Sequence, residues 1–461
     1  MTDHVIRGFG SGPPQPRPQW DLDRYRPEGG THIESNPDRE RPINPEYTAE
    51  GWVLFWMALR MGFWTIVTLG IFRFWMTTKL RRHYWGGITL RGDPLEYTGT
   101  AMEKLLGFLI AMVFLAVYLG LANLGLTFLG LSIASDDATQ ANLALNISLL
   151  STLPLIFFAQ YRAMRYMLSR TRWRGIRFGL APGAISYMFR AMFYSFLTLI
   201  TAGLAYPYQH FKLAKFMTDR AWFGDRQFHQ EGTWLSLFAS WIWIYILGGF
   251  IALSLYTFSE MTPQNFDTMS VLIGAAIYFI SVIMLYLTII RYRFHAFKML
   301  WSGKRLGEDV EFESEMPVGK TVSVFLTGSI VTSLSVSLTI LVSVAFLSGL
   351  FWLIGEQDAV RAFVSVLTGT ENALDLLAES IGDSSRWLIV GGVLLTYLLV
   401  IIMVFAIGQV FFVHRILRRK VDTLIVHNPK ALSHSGQRAH DKSSEAGGFA
   451  DALGFDVGAG F

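Results

Sequence analysis

Apolar residues along this chain are gathered into eight long segments, separated by short charged stretches. A helix of roughly 20 apolar residues spans the ~30 Å hydrocarbon core of a bilayer, because it satisfies its backbone hydrogen bonds internally. The pattern therefore predicts an all-α fold, a polytopic transmembrane helical bundle with six to eight membrane segments. The apolar segments cover residues 52–75, 105–133, 143–168, 192–208, 234–258, 270–290, 322–354 and 387–413.

The loops between the segments differ in charge, which predicts how the chain is oriented. Residues 76–104, 162–190, 209–233 and 291–320 are rich in Lys and Arg, whereas the loop 355–386 is mostly acidic. Basic loops tend to stay in the cytoplasm. We therefore expect the basic stretches inside the cell and the acidic loop outside.

Two of the segments, 52–75 and 192–208, have basic flanks on both sides. If both flanks stay inside, neither segment crosses the membrane. Each would then be re-entrant or interfacial, and six crossings would remain. The alternative is eight crossings with two translocated basic loops, since the positive-inside rule is statistical.

The same two segments share a sequence motif. The pattern F-x-T-[IL]-[VI]-T-x-G begins at Phe63 and again at Phe196, 133 residues later. Such repeats are typical of membrane bundles built by internal duplication. The expected division is a disordered tail, a first and a second membrane repeat, a third helical hairpin and a second disordered tail, covering residues 1–46, 47–190, 191–310, 311–425 and 426–461.

A second short pattern, W-x-G, follows basic helix ends at Trp85, Trp173 and Trp301. Trp favours the membrane interface, and Gly permits the positive φ that a tight reversal needs. We therefore expect short extended corners on the cytoplasmic side. Their Arg and aromatic residues are suited to anionic lipid headgroups.

Composition agrees with a membrane protein. Hydrophobic residues make up 52% of the chain and charged residues 16%, against about 25% charged residues in soluble domains. The net charge of +4 comes from basic residues beside apolar segments, where they fix orientation against the cytoplasm. The expected partner is the lipid bilayer, and nucleic acid is not predicted as a partner.

Charged residues are nearly absent from the central parts of the apolar segments, and Arg60 is the exception. An ionisable group in hydrocarbon costs at least ~2.5 kcal/mol, so it faces a cavity or a partner, or it snorkels to the interface. The repeated Thr and Gly residues fit two roles, lining a solute path or permitting close helix packing. The candidate pathway residues are Arg60, Thr65, Thr68, Gly70, Thr198, Thr201 and Gly203.

The sequence predicts no enzyme. It has no cysteine, no HExxH zinc spacing, no phosphate-binding P-loop and no nucleophile elbow. Catalytic residues, metal ligands and cofactors are therefore not expected. Four histidines lie near basic helix ends among aromatic residues: His83, His210, His295 and His414.

Three runs of residues carry a family resemblance. LGIFRFW at 69–75, LRRHY at 80–84 and GDPLEYTGT at 92–100 resemble the YjgN-like family of bacterial inner-membrane proteins. The resemblance covers roughly residues 47–420. That family is defined by a domain of unknown function, so the resemblance implies a multi-pass protein of the bacterial inner (cytoplasmic) membrane and no established activity.

Two classes of function remain open from the sequence. The duplication and the short segments favour a transporter or channel for a small solute. The charge-poor core and the basic, aromatic corners favour a non-transport envelope scaffold or a lipid-interacting membrane protein.

Overall fold

The computed structural model describes residues 41–133, 137–259, 268–354, 364–365 and 383–438. Within them the elements follow one recurring order: a strand leads into a pair of helices, and the second helix leads into the next strand. This order occurs five times in the described part of the chain. Both ends of every helix pair are therefore attached to the sheet.

The helices are α1 (Gly51–Val67), α2 (Arg73–Gly86), α3 (Ala101–Ile133), α4 (Asp137–Ser169), α5 (Ala184–Ile200), α6 (Tyr206–Thr218), α7 (Leu235–Ser259), α8 (Thr268–Ser302), α9 (Val318–Ile354), α10 (Asp383–Gly408) and α11 (Arg415–Asp422). A π-helical turn, Gln409–His414, connects α10 to α11. The strands are β1 (Glu46–Tyr47), β2 (Ile88–Leu90), β3 (Asp93–Tyr97), β4 (Thr171–Trp173), β5 (Ile176–Leu180), β6 (Ala221–Phe223), β7 (Arg226–Gln230), β8 (Lys304–Leu306), β9 (Val310–Ser314) and β10 (Leu424–His427).

The all-α prediction is wrong, because the extended corners pair into one ten-stranded sheet. The strands pair in chain order from β1 to β10, and every pairing is antiparallel. Ile43 also pairs with Val426, with N–O distances of 3.0 and 2.8 Å. The segment before β1 thus contacts β10, and the curled sheet is joined at its two ends.

The strands were missed because each is only two to five residues long, which is too short for a period-two pattern to stand out. Their partners are also remote, since β3 pairs with β4 across two helices of 33 residues each. The tight reversals predicted after the W-x-G pattern are present. Arg174 and Gly175, which follow Trp173, both have positive φ, as a two-residue hairpin turn requires.

The inside of the curled sheet is packed with apolar side chains. Trp173, Phe223, Leu306 and Val310 are almost fully buried in one cluster. A 3₁₀ helix, Pro429–His434, adds Ala431 and Leu432 to the same cluster. The sheet therefore encloses a solid core at this level. The sequence predicts a C-terminal tail over residues 426–461, and within it Val426, Ala431 and Leu432 are buried in this cluster.

Five described helices are long and apolar enough to cross a membrane, by length and composition: Ala101–Ala122, Leu235–Ser259, Thr268–Ser302, Val318–Leu353 and Val390–Asp422. Most of their large apolar side chains are exposed, as expected of a surface that faces lipid. These helices indicate a membrane-embedded protein.

The helix pairs differ in length. At a rise of 1.5 Å per residue, α3 is about 50 Å long, whereas α1 and α5 are about 25 Å long. The pairs α1–α2 and α5–α6 are thus short hairpins that leave the sheet, reverse and return to it.

Candidate functional site

The repeated F-x-T-x-x-T-x-G motif forms the reversal of the first short hairpin. The Thr65 hydroxyl donates to Met61 O at 2.8 Å, and the Thr68 hydroxyl donates to Trp64 O at 2.8 Å. Gly70 has a φ of +92°. The motif therefore ends α1 and turns the chain into α2.

The second copy has the same geometry. The Thr198 hydroxyl donates to Tyr194 O at 2.8 Å, and the Thr201 hydroxyl donates to Leu197 O at 2.9 Å. Gly203, like Gly70, has a φ of +92°. Six of the seven candidate pathway residues thus lie in two separate turns. The hydroxyl groups of the four threonines among them donate to backbone carbonyls.

Arg60 lies on α1, away from both turns, and its side chain is exposed. The buried side chains of α1 are Leu54, Ala58 and Met61, with Gly62. Arg60 points away from this stripe, since at 100° per residue it lies about 160° from Ala58, about 120° from Leu54 and about 100° from Met61 around the helix axis. The structure therefore does not bring Arg60 together with the repeated Thr and Gly residues.

A different set of residues forms the most distinctive polar surface. The second helix of every pair returns to the sheet through a segment in which Lys and Arg outnumber Asp and Glu. We call the cations at this level the basic belt. It comprises the cations of these five segments and the cations packed beside them, and it includes Lys79, Arg81, Arg82, Lys104, Arg162, Arg165, Arg190, Lys212, Arg220, Arg291, Arg293, Lys298, Arg415 and Arg419. The belt lies where the helices meet the sheet.

Aromatic rings lie against cations at this level. The guanidinium carbons of Arg190 and Arg220 lie 4.8 and 4.4 Å from the centre of the Phe216 ring. Arg81 and Lys104 lie 5.8 and 5.2 Å from the ring centre of Tyr97. Cation–π contacts orient such groups without neutralising their charge. The belt therefore remains electropositive.

The arrangement of Arg190, Phe216 and Arg220, which we call the Phe216 clamp, was missed from sequence. Its residues come from α5, from α6 and from the turn before β6. Only the tertiary packing of this hairpin brings them together. The available signal was the basic and aromatic composition of the corners, which did not specify partners.

The charged residues of the sheet strands and their turns, by contrast, form ion pairs with one another. Arg226 pairs with Asp309 at 3.2 Å, and Arg305 pairs with Glu231 at 3.1 Å and with Glu311 at 3.4 Å. A cavity of about 170 Å³ beside Arg305 is lined mostly by these paired residues and their neighbours. In the described part of the chain, no group of three or more His, Cys, Asp and Glu residues is placed to hold a metal ion.

Two lysines lie close together at the edge of the sheet core. The Lys304 ammonium is 4.2 Å from the ring centre of Trp301, and the Lys420 ammonium is 4.3 Å from that of Phe297. Burial and the neighbouring charge of Lys420 lower the pKa of Lys304 to about 7. Lys304 therefore carries only part of its positive charge near neutral pH.

Comparison with known proteins places the chain in a family without assigning an activity. No curated protein matches it, and no solved structure matches it. One family model matches residues 44–452, which is most of the chain. The YjgN-like resemblance refers to this same family. The chain therefore belongs to the family described as bacterial protein of unknown function, DUF898.

Proposed function

We propose that this chain is a lipid-interacting protein of the bacterial inner membrane, whose basic belt binds anionic lipid headgroups at the cytoplasmic surface. The observation that carries the proposal is the Phe216 clamp, in which two guanidinium groups lie against one ring. Arginine that stacks on a ring is held in place yet keeps N–H donors for a phosphate group. Each cation near an anionic membrane surface contributes about 1 kcal/mol of attraction.

The position of the belt supports the proposal. The apolar helices extend from the sheet, and the cations lie at the sheet end of these helices. Lipid phosphates lie at the edge of the hydrocarbon layer, so a band of cations at the base of membrane helices is at their depth.

Other observations favour this function over solute transport. The repeated Thr and Gly residues, which were candidates for a pathway, form hairpin turns. The sheet core is filled by residues such as Phe223 and Val310. A water-filled path along the sheet therefore has no support from these residues.

We further propose that the two short hairpins enter the membrane from the cytoplasmic side and return. A turn in hydrocarbon must satisfy its own backbone groups, because no water is present to bond them. Every amide N–H from residue 68 to residue 74 has an acceptor within the turn. The same holds for residues 201–206 of the second hairpin.

Lipid retention by charge-neutralised variants tests the lipid-binding proposal. The double variant Arg190→Gln and Arg220→Gln is purified in a neutral detergent, and native mass spectrometry measures retained phosphatidylglycerol. We expect less phosphatidylglycerol per protein than in the wild type, with retained phosphatidylethanolamine unchanged.

A matched control removes the same charge from exposed residues on the sheet side, through Arg41→Gln and Lys430→Gln. The control is expected to retain phosphatidylglycerol like the wild type. Equal retention in the clamp variant and the control would contradict the proposal.

A further inference from the structure

Three buried polar atoms occur where β1, α2 and the π-helical turn meet. They are Tyr47 Oη, His83 Nε2 and His414 Nδ1, and in the described part of the chain none of them has a hydrogen-bond partner. The rings of Tyr47 and His414 are 5.3 Å apart between centroids, and His83 is near enough for its charge to act on His414. An unsatisfied buried polar group is costly, so three in one place indicate a missing ligand.

Other histidines near helix ends do not share this property. His210 Nδ1 lies 3.2 Å from Tyr292 Oη, and His295 Nε2 lies 3.2 Å from Ser236 O. Intramolecular contacts thus explain two of the four histidines singled out from sequence. They leave His83 and His414 for another role.

The surroundings hold these groups in place. Tyr47 and His414 are only 5% and 8% exposed. The Tyr84 hydroxyl donates to Gln409 Oε1 at 2.7 Å, which ties α2 to the first residue of the π-helical turn. Turns of this kind recur at functional sites, because the extra residue redirects side chains that a regular helix would place elsewhere.

The charge of the site favours an anion over a metal cation. Arg415 and Arg418 both act electrostatically on His414. The nearby Asp422 carboxylate already accepts from the Tyr47 amide at 3.2 Å and pairs with Arg418 at 3.4 Å. Burial raises the pKa of the Tyr47 phenol, so this group keeps its proton and remains a donor.

We propose that Tyr47, His83 and His414 form a binding site for a phosphate group. The phenol O–H and one N–H of each imidazole donate to phosphate oxygens, and Arg415 supplies positive charge. The phosphate belongs either to a lipid headgroup or to free inorganic phosphate. The lipid case rests on the proposed lipid-binding function, whereas the free-phosphate case does not.

Thermal stability of the full chain tests the site. Wild-type protein is prepared without phosphate, in a neutral detergent and in phosphatidylcholine nanodiscs. Inorganic phosphate is added to the first sample, and phosphatidylglycerol is included in the nanodiscs of the second. Stabilisation by phosphate alone identifies a free-anion site, and stabilisation by phosphatidylglycerol alone identifies a headgroup site. Both results support the proposal.

Tyr47→Phe gives the most specific result, because it removes only the unpartnered hydroxyl. The variant is expected to be at least as stable as the wild type without phosphate and to bind the effective probe about tenfold more weakly. His414→Asn is expected to weaken the same response. Tyr161→Phe is the matched control, because it removes a hydroxyl that does have a partner: it donates a hydrogen bond of 2.6 Å to Ala181 O. It is expected to lower stability and leave the phosphate response unchanged.

Several outcomes would overturn the site. They are stabilisation of the wild type by neither probe, stabilisation by zinc in place of phosphate, and an unchanged response in both Tyr47→Phe and His414→Asn. The Phe216 clamp shares no residue with the site, so failure here would leave the lipid-retention result of the clamp variants intact.

Discussion

The Thr68 hydroxyl oxygen accepts a hydrogen bond from the Phe72 amide nitrogen at a distance of 2.9 Å. The same hydroxyl donates to the Trp64 carbonyl, so one side chain bonds both the end of α1 and the start of α2. Thr201 repeats the arrangement with Leu197 and Ala205, at 2.9 and 3.1 Å. A threonine in this role lets a helical hairpin reverse without leaving backbone groups unpaired.

Replacing this threonine by its isostere tests the role of the hydroxyl. Thr201→Val keeps the shape but leaves the Ala205 amide without an acceptor, and it is expected to cost about 1–3 kcal/mol of stability. Thr201→Ser keeps the hydroxyl and serves as the control. Thermal unfolding in detergent micelles measures both variants. Equal stability of the Val and Ser variants would show that the hydroxyl is dispensable.

The two turn glycines differ in their surroundings, which gives a matched pair of substitutions. A Cβ added at Gly203 would lie 2.7 Å from Tyr245 Oη, whereas a Cβ at Gly70 meets nothing within 4 Å. Both positions have the same positive φ, so backbone strain is shared. Gly203→Ala is therefore expected to lower the unfolding temperature more than Gly70→Ala, because it also displaces Tyr245 from Ala202 O.

Much of the first level of organisation is visible in the sequence. The apolar segments, the basic corners and the family follow from runs of residues, because membrane insertion acts on local stretches of about 20 residues. The repeated Thr and Gly residues were also found from sequence, but a pattern of small and hydroxyl residues does not separate a turn from a pathway. The structure adds the hydrogen bonds of Thr68 and Thr201, which place both residues in hairpin turns.

The sheet could not be predicted in the same way. Tyr97 pairs with Thr171, and Leu180 pairs with Ala221, across intervening helices. None of the four strands in these two pairings contains enough residues to show alternation of polar and apolar side chains. The Phe216 clamp depends on the packing of its helical hairpin, and the site of Tyr47, His83 and His414 depends on contacts between remote parts of the chain, so neither could be predicted from the sequence.

Lys304 gives a prediction for pH dependence. Its pKa is about 7 in the folded protein and 10.5 in an unfolded chain. Between these values the unfolded state binds more protons, so stability rises as pH increases from about 7 to 10.5. Lys304→Met is expected to remove this part of the rise. Unfolding temperatures of both proteins across this window are the measurement, and parallel profiles would contradict the assignment.

The salt dependence of lipid binding separates charge from stacking in the Phe216 clamp. Phe216→Leu keeps both arginines but removes contacts of about 0.5–1 kcal/mol each, so binding of phosphatidylglycerol vesicles is expected to weaken with its salt dependence preserved. Arg190→Gln combined with Arg220→Gln is expected to flatten the salt dependence. The measurement is vesicle co-sedimentation over a salt series. A flattened salt dependence in Phe216→Leu would contradict the role given to the ring.

The central claim is that the sheet and its basic belt face the cytoplasm and that the two short hairpins enter the membrane and return. Cysteine labelling in intact cells tests this claim most directly. The chain has no cysteine, so single cysteines can be placed at His229 in the sheet, at Leu69 in the first turn and at Gln357 in the acidic loop. Leu69 is 94% exposed and His229 is also exposed, so burial within the folded protein does not prevent a maleimide from reacting at either position.

With a membrane-impermeant maleimide, only the cysteine at 357 is expected to react in intact cells. The cysteine at 229 is expected to react once the cells are made permeable, and the cysteine at 69 is expected to stay unreactive in the hydrocarbon layer. Labelling of position 229 or position 69 in intact cells would contradict the claim.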